Sequence, residues 1–143
     1  MQSLIAEKSI QINALASKVW EVLVSPRFIR QWDEVPEGYG DAPLNMGSEM
    51  VWESEGGKTV RLTVIEYKPL ELLQMSLFVS TWAVIPAPGD ITYTYQLTEQ
   101  DGGTRLSIKV GDFAVLPDGQ EYYEASLEFA DSATRRIKEL AEV

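Results

Sequence analysis

The sequence predicts an α+β domain in which a six-stranded antiparallel sheet curves around a long C-terminal helix, with two short helices after the first strand. Three observations carry this. A period of two runs through most of Gly47 to Asp112, one amphipathic pattern of period 3.6 fills the C-terminal stretch, and the apolar segment from Val19 to Trp32 is cut by Pro26.

In chain order, Ser9 to Asn13 puts Ile10 and Ile12 on one face, the alternation of a half-buried strand. Ser17 to Val24 reads as a short helix through the spacing of Val19, Trp20, Leu23 and Val24. Ser25 and Pro26 break it, because proline suits a first helical turn and not an interior one, and Arg27 to Gln31 forms a second short helix. Asp33 to Met46, rich in Pro, Gly and Asp, reads as a long ordered loop.

Five strands then share one apolar face, marked by Met50 and Trp52, by Val60, Leu62 and Val64, by Leu73 to Val79, by Ile91 to Leu97 and by Leu106 to Val110. Their connectors GGK, KPLE, PAPGD and QDGG hold the residues tight turns need, so the strands are antiparallel. The last element, Gly119 to Glu142, is a helix whose start Asp118 is expected to cap, with Glu121 as the other half of a capping box. Tyr122, Tyr123, Leu127, Ala130, Ile137 and Leu140 fall on its apolar face, and at about 1.5 Å per residue it crosses a whole sheet.

With 143 residues the chain reads as one domain from end to end, long enough to bury a real core. There are 12 basic against 22 acidic residues, a net charge of −10, which disfavours nucleic acid and anionic membranes as partners. Arg135, Arg136 and Lys138 cluster only where cations complement a helix C-terminus. The first residues have no positive region leading into an apolar core and no apolar run approaches a bilayer span, so a cytoplasmic location and no membrane insertion are expected. The absence of histidine and cysteine removes Ser-His and Cys-His catalysis, thiol redox chemistry, Cys/His zinc sites and disulfides. No cofactor and no metal are expected, since the tightest acidic group, Glu49, Glu53 and Glu55, alternates outward.

The run INALASKVWEVLVSP, the aromatic Trp32 after the proline break, the strand KTVRLTVIEYKP before LELLQMSL, and GTRLSI from Gly103 to Ile108 resemble the START/Bet v 1-like (SRPBCC) superfamily. Within it, the order and spacing of these motifs over nearly the whole chain look like the group related to the activator of Hsp90 ATPase and to small polyketide-cyclase-like proteins. The resemblance implies the helix-grip fold and a cavity between sheet and C-terminal helix. It implies binding of a small hydrophobic or aromatic molecule there, or cyclase-like and aromatase-like catalysis in the same cavity, or a protein-interaction role. An Hsp90 co-chaperone role is not expected, because that protein carries an additional N-terminal domain for which this length leaves no room.

Parity and resemblance together place Met50, Trp52, Met75, Leu77, Tyr93 and Tyr95 on the strand side of the cavity. Trp32, Phe113, Tyr122, Tyr123 and Leu127 line it from the helical side, with Trp32 at the mouth. Acids inside such a cavity would have raised pKa values suited to proton transfer, and the only candidates for that catalytic role are Glu66, by the inward parity of Val64, and Asp112, by that of Val110. Both sit at strand ends, where solvent reaches, so the residues point to binding rather than catalysis. Phe78 and Trp82, beside Ile65 and Tyr67, share outward parity and form an expected homodimer patch.

Overall fold

The period-two segments form one antiparallel sheet in the order β1-β6-β5-β4-β3-β2. The structure is a computed structural model describing residues 3 to 143, so the reading of the extreme N-terminus falls partly on Met1 and Gln2, outside the described residues. The elements are β1 (Ala6–Ile12), α1 (Ala16–Val24), α2 (Pro26–Trp32), β2 (Glu49–Glu53), β3 (Thr59–Lys68), β4 (Leu72–Val79), β5 (Thr92–Gln100), β6 (Gly103–Gly111) and α3 (Gly119–Ala141). A single 3-10 turn, Phe113–Val115, joins β6 to α3. No helix among the described residues is long and apolar enough to cross a membrane.

The chain sends β1 and β2 to opposite edges of the sheet, because β1 closes the order by pairing with the last strand, Ile12 opposite Thr104 and Ala6 opposite Val110. β1 starts three residues earlier than the alternation of Ile10 and Ile12 indicates. Glu7 and Lys8 are exposed at the edge, so that half is held by the backbone ladder, by buried Ala6 and by a Glu7–Lys109 ion pair at 3.9 Å, without an alternating apolar face.

Helix α3 lies across β1 and β6 and also meets α1 and α2. Its start is fixed differently from the expected capping box. Asp118 makes no side-chain cap bond, and the turn closes through Gly119, whose backbone approaches Phe113 so closely that a Cβ there would stand 2.0 Å from the Phe113 carbonyl oxygen. At the other end, the basic cluster ties down neighbours as well as complementing the helix dipole. Lys138 Nζ donates to the Gln11 carbonyl at 3.0 Å and pairs with Glu142, while Arg136 Nε donates to the Gln31 carbonyl at 3.2 Å.

Two strand expectations change. The β3 to β4 register shifts between Val64 and Glu66, a β-bulge that reverses side-chain parity beyond it. Glu66 therefore faces outward and is exposed, whereas Tyr67 turns inward onto Trp20, their rings 5.5 Å apart. Trp82 also leaves the outer face. β4 ends at Val79, a turn bonds Trp82 N–H to the Val79 carbonyl, and the indole folds back into the core.

Candidate functional site

Pro26 starts α2 and Trp32 ends it, so the last turn delivers Trp32 and the following Asp33 to the inner side of the sheet. The Trp32 indole is held by donation of Nε1 to the Val22 carbonyl at 2.9 Å and meets the Tyr95 ring edge-on, centroids 5.7 Å apart. Tyr95 projects from the inner face of β5 and is fully buried, yet its Oη has no hydrogen-bond partner. Two residues earlier on the same face, Tyr93 meets Phe129 of α3 edge-on at 5.5 Å.

Asp33 completes this group. Burial pushes its carboxyl up to about 6 from the usual 3.8; the Glu34 backbone N–H partly offsets this and the Glu34 charge adds to it. Burial, then the negative charge of Asp33, pushes the Tyr93 phenol up to about 12 and the Tyr95 phenol well above its ordinary range. All three shifts have burial as their largest cause, with the Asp33 charge a smaller contribution to both phenols.

A cleft of about 480 Å³ lies between the end of α2 and the C-terminal half of α3, with Trp32, Asp33, Glu34, Ser132, Arg135, Arg136 and Glu139 in its walls. Its two cations each have partners. Arg135 pairs with Asp131 at 2.7 Å, and Arg136 binds the Gln31 carbonyl and stands 4.0 Å from Glu139. No ion pair among the described residues includes Asp33.

A second orphan lies near the start of α3, where buried Trp82 Nε1 has no partner. The Trp82 ring meets Tyr122 edge-on at 5.7 Å, and Tyr122 stacks on Phe113 at 5.6 Å with the planes 20° apart.

The expected lining residues divide by burial. Met50, Met75, Tyr95 and Phe113 are core, while Trp52, Leu77, Tyr93, Tyr122, Tyr123 and Leu127 are half-buried against it. Trp32 belongs to the buried core and also borders the cleft between α2 and α3. The eleven are not united in any one described cleft: Trp52 borders a shallow one with Pro36 and Glu37, and Leu77 reaches the rim of a groove on the outer face. Of the two candidate acids, the bulge puts Glu66 on the outer face. Asp112 is spent on structure, its Oδ1 accepting from Leu4 N–H and Ala114 N–H, both at 2.8 Å. The acid that does reach the interior, Asp33, has the composition of a loop around it, and its only sequence signal is its place directly after the helix-terminal Trp32.

Residues 13–142 match the family model described as activator of Hsp90 ATPase homolog 1-like protein. The chain belongs to this family. No curated protein matches it in sequence. Solved structures similar to this Hsp90-activator-like chain share its START/Bet v 1-like fold at low identity. Protein MLL2253 from Mesorhizobium loti is 18% identical with a TM-score of 0.73 over 95% of each chain. The Aha1 dimer from Colwellia psychrerythraea, solved in solution, is 14% identical with a TM-score of 0.61, covering 97% of this chain and 96% of that one. DynU16, from the dynemicin biosynthetic locus, is 17% identical with a TM-score of 0.63, and 94% of this chain corresponds to 47% of that one.

Proposed function

We propose that the protein binds a small hydrophobic or aromatic molecule between the concave face of the sheet and α3, entering beside Trp32. The observation that carries this reading is Tyr95 Oη, a fully buried hydroxyl without a partner. A buried polar group left unsatisfied costs about 1–3 kcal/mol, and such groups persist where a ligand or water completes them. The half-buried rings of Tyr93, Tyr122, Tyr123 and Phe129 supply apolar area worth about 25 cal/mol per Å² removed from water. The test is saturable uptake of the neutral fluorescent probe N-phenylnaphthylamine, together with native mass spectrometry of freshly purified protein. Probe uptake is expected, lost in a folded Leu127→Trp variant that fills the space; no saturable uptake and no co-purifying ligand would sink the reading.

A second, independent reading concerns self-association. The outer face of β3 and β4 carries a groove of about 350 Å³ that includes Ile65, Phe78, Ile85 and Pro86, and Ile85 is 73% exposed. We place a second copy of this chain there, in keeping with the Aha1 relative being a dimer in solution. Phe78→Glu and Ile85→Glu should each lower the mass measured by light scattering to that of one chain; a wild type already monomeric at high concentration would refute it.

A further inference from the structure

The two edges of the sheet are finished differently. Along β1, α3 closes the edge: Lys138 Nζ donates to the Gln11 carbonyl at 3.0 Å, and just beyond the strand Asn13 N–H donates to the Glu142 carboxylate at 2.8 Å. At the other edge, β2 has β3 as its only strand neighbour. In an antiparallel pair, residues that exchange backbone hydrogen bonds alternate with residues that do not. The β2 to β3 register sets Glu49 opposite Thr63 and Glu53 opposite Thr59, and the pairs flanking it are bonded, Val64 N–H to the Ser48 carbonyl and Ser54 N–H to the Lys58 carbonyl, both at 2.9 Å. The even-numbered residues therefore bond to β3, and the backbone N–H and C=O groups of Glu49, Val51 and Glu53 point out of the sheet, where no partner takes them among the described residues. A shallow cleft of about 480 Å³ lies against this edge, lined by Val51, Trp52 and Glu53 of the strand and by Pro36 and Glu37 of the preceding loop.

An open edge of this kind is a template for a further strand, and its side chains decide which strand fits. On the outer face the odd-numbered positions are Glu49, Val51 and Glu53, with both acids exposed. Glu37 and Glu53 belong to no ion pair among the described residues, and Arg61, across from Val51 on β3, is turned to Glu49 at 4.0 Å and to the Phe78 ring. In the turn beyond the strand, Glu55 and Lys58 add one charge of each sign. Two copies of this chain pairing antiparallel about Val51 would set Glu49 of each against Glu53 of the other, and like charges directly opposite oppose such self-pairing. A basic strand reverses the sign. We propose that the free edge of β2 takes an extended basic segment of a partner protein, added antiparallel, the stronger of the two pairings. Lysine or arginine then stands opposite Glu49 and Glu53, a β-branched residue opposite Val51, and the residues between them lie apolar against Trp52 and Pro36. The backbone ladder fixes the register and the carboxylates choose the partner, toward which the net charge of −10 also steers.

The test is fluorescence anisotropy of the whole chain with a labelled peptide carrying Lys-Leu-Val-Leu-Lys. Saturable binding is expected, at least tenfold tighter than that of the Glu-Leu-Val-Leu-Glu counterpart. N-methylation of the central valine keeps every charge but removes a donor aimed at the Val51 carbonyl, and should weaken binding at least tenfold; N-methylation of a leucine, whose N–H points away from β2, should leave it unchanged. Val51→Pro removes an outward N–H that β3 does not use, a position where an edge strand tolerates proline. This variant should fold as wild type by circular dichroism and bind the lysine peptide at least tenfold more weakly, while Glu53→Lys should narrow or reverse the preference for lysine over glutamate. No saturable binding, or equal binding of the valine-methylated peptide, overturns the proposal. A wild type of twice the chain mass that Val51→Pro reduces to one chain gives the edge to a second copy and overturns it as well. None of these outcomes bears on N-phenylnaphthylamine uptake, so the cavity reading stands or falls separately.

Discussion

Asp33 carries its own signature in stability, apart from any ligand. Its folded pKa of about 6 lies above the ordinary 3.8, so between those values the folded protein binds more protons than the unfolded chain. The contribution is therefore fully present below about pH 4 and lost as pH rises through 6. Asp33→Asn should be more stable than wild type at neutral pH by on the order of 1–2 kcal/mol, with the difference vanishing near pH 4, as urea unfolding at the two pH values would show. Tyr95→Phe removes the orphan hydroxyl and should leave the protein as stable as wild type or slightly more so, as urea unfolding would show. Residue by residue, strand parity found the buried Met50, Met75 and Tyr95 correctly because alternation is local to each strand. It failed at Glu66 and Tyr67 because one extra residue at the β3 bulge reverses parity without leaving a mark in the sequence.

The short helices and α3 act as braces whose ends are fixed by backbone fit. Gly119→Ala should cost about 2–4 kcal/mol, since its Cβ would press on the Phe113 carbonyl oxygen and either the 3-10 turn or the helix start must move; thermal unfolding would report it. At the other end of α3, the Glu142 carboxyl is held below its usual range by Lys138 and then by Asn13 N–H, which donates at 2.8 Å. That latch contributes above the ordinary carboxylate range and is lost as pH falls through the lowered value. Glu142→Gln should speed amide exchange in the last turn of α3 and leave the centre of the helix unchanged. These helices were legible in the sequence to within one or two residues, because proline placement and a 3.6 period are local signals. The cap at Asp118 was not, since the approach of Gly119 to Phe113 joins two elements whose docking is tertiary.

Across the whole molecule, the sheet order packs α3 against β1 and β6 at one edge and leaves the central strands to the half-buried aromatics. Trp82 illustrates the consequence. It belongs to the core beside Tyr122 and not to the outer groove, so Trp82→Glu should unfold the protein by several kcal/mol through a buried charge and leave the outer surface as it was. Thermal unfolding that gave a wild-type midpoint for this variant would contradict that assignment. The sequence alone determined the order of elements, the apolar faces, the resemblance to its family and the exclusion of histidine and cysteine chemistry, because each is a matter of composition or of short-range periodicity. Only the tertiary structure decided which acid meets the interior. Asp33 and Tyr95 are far apart in the chain, and the desolvation that defines the site exists only once α2 has closed against β5.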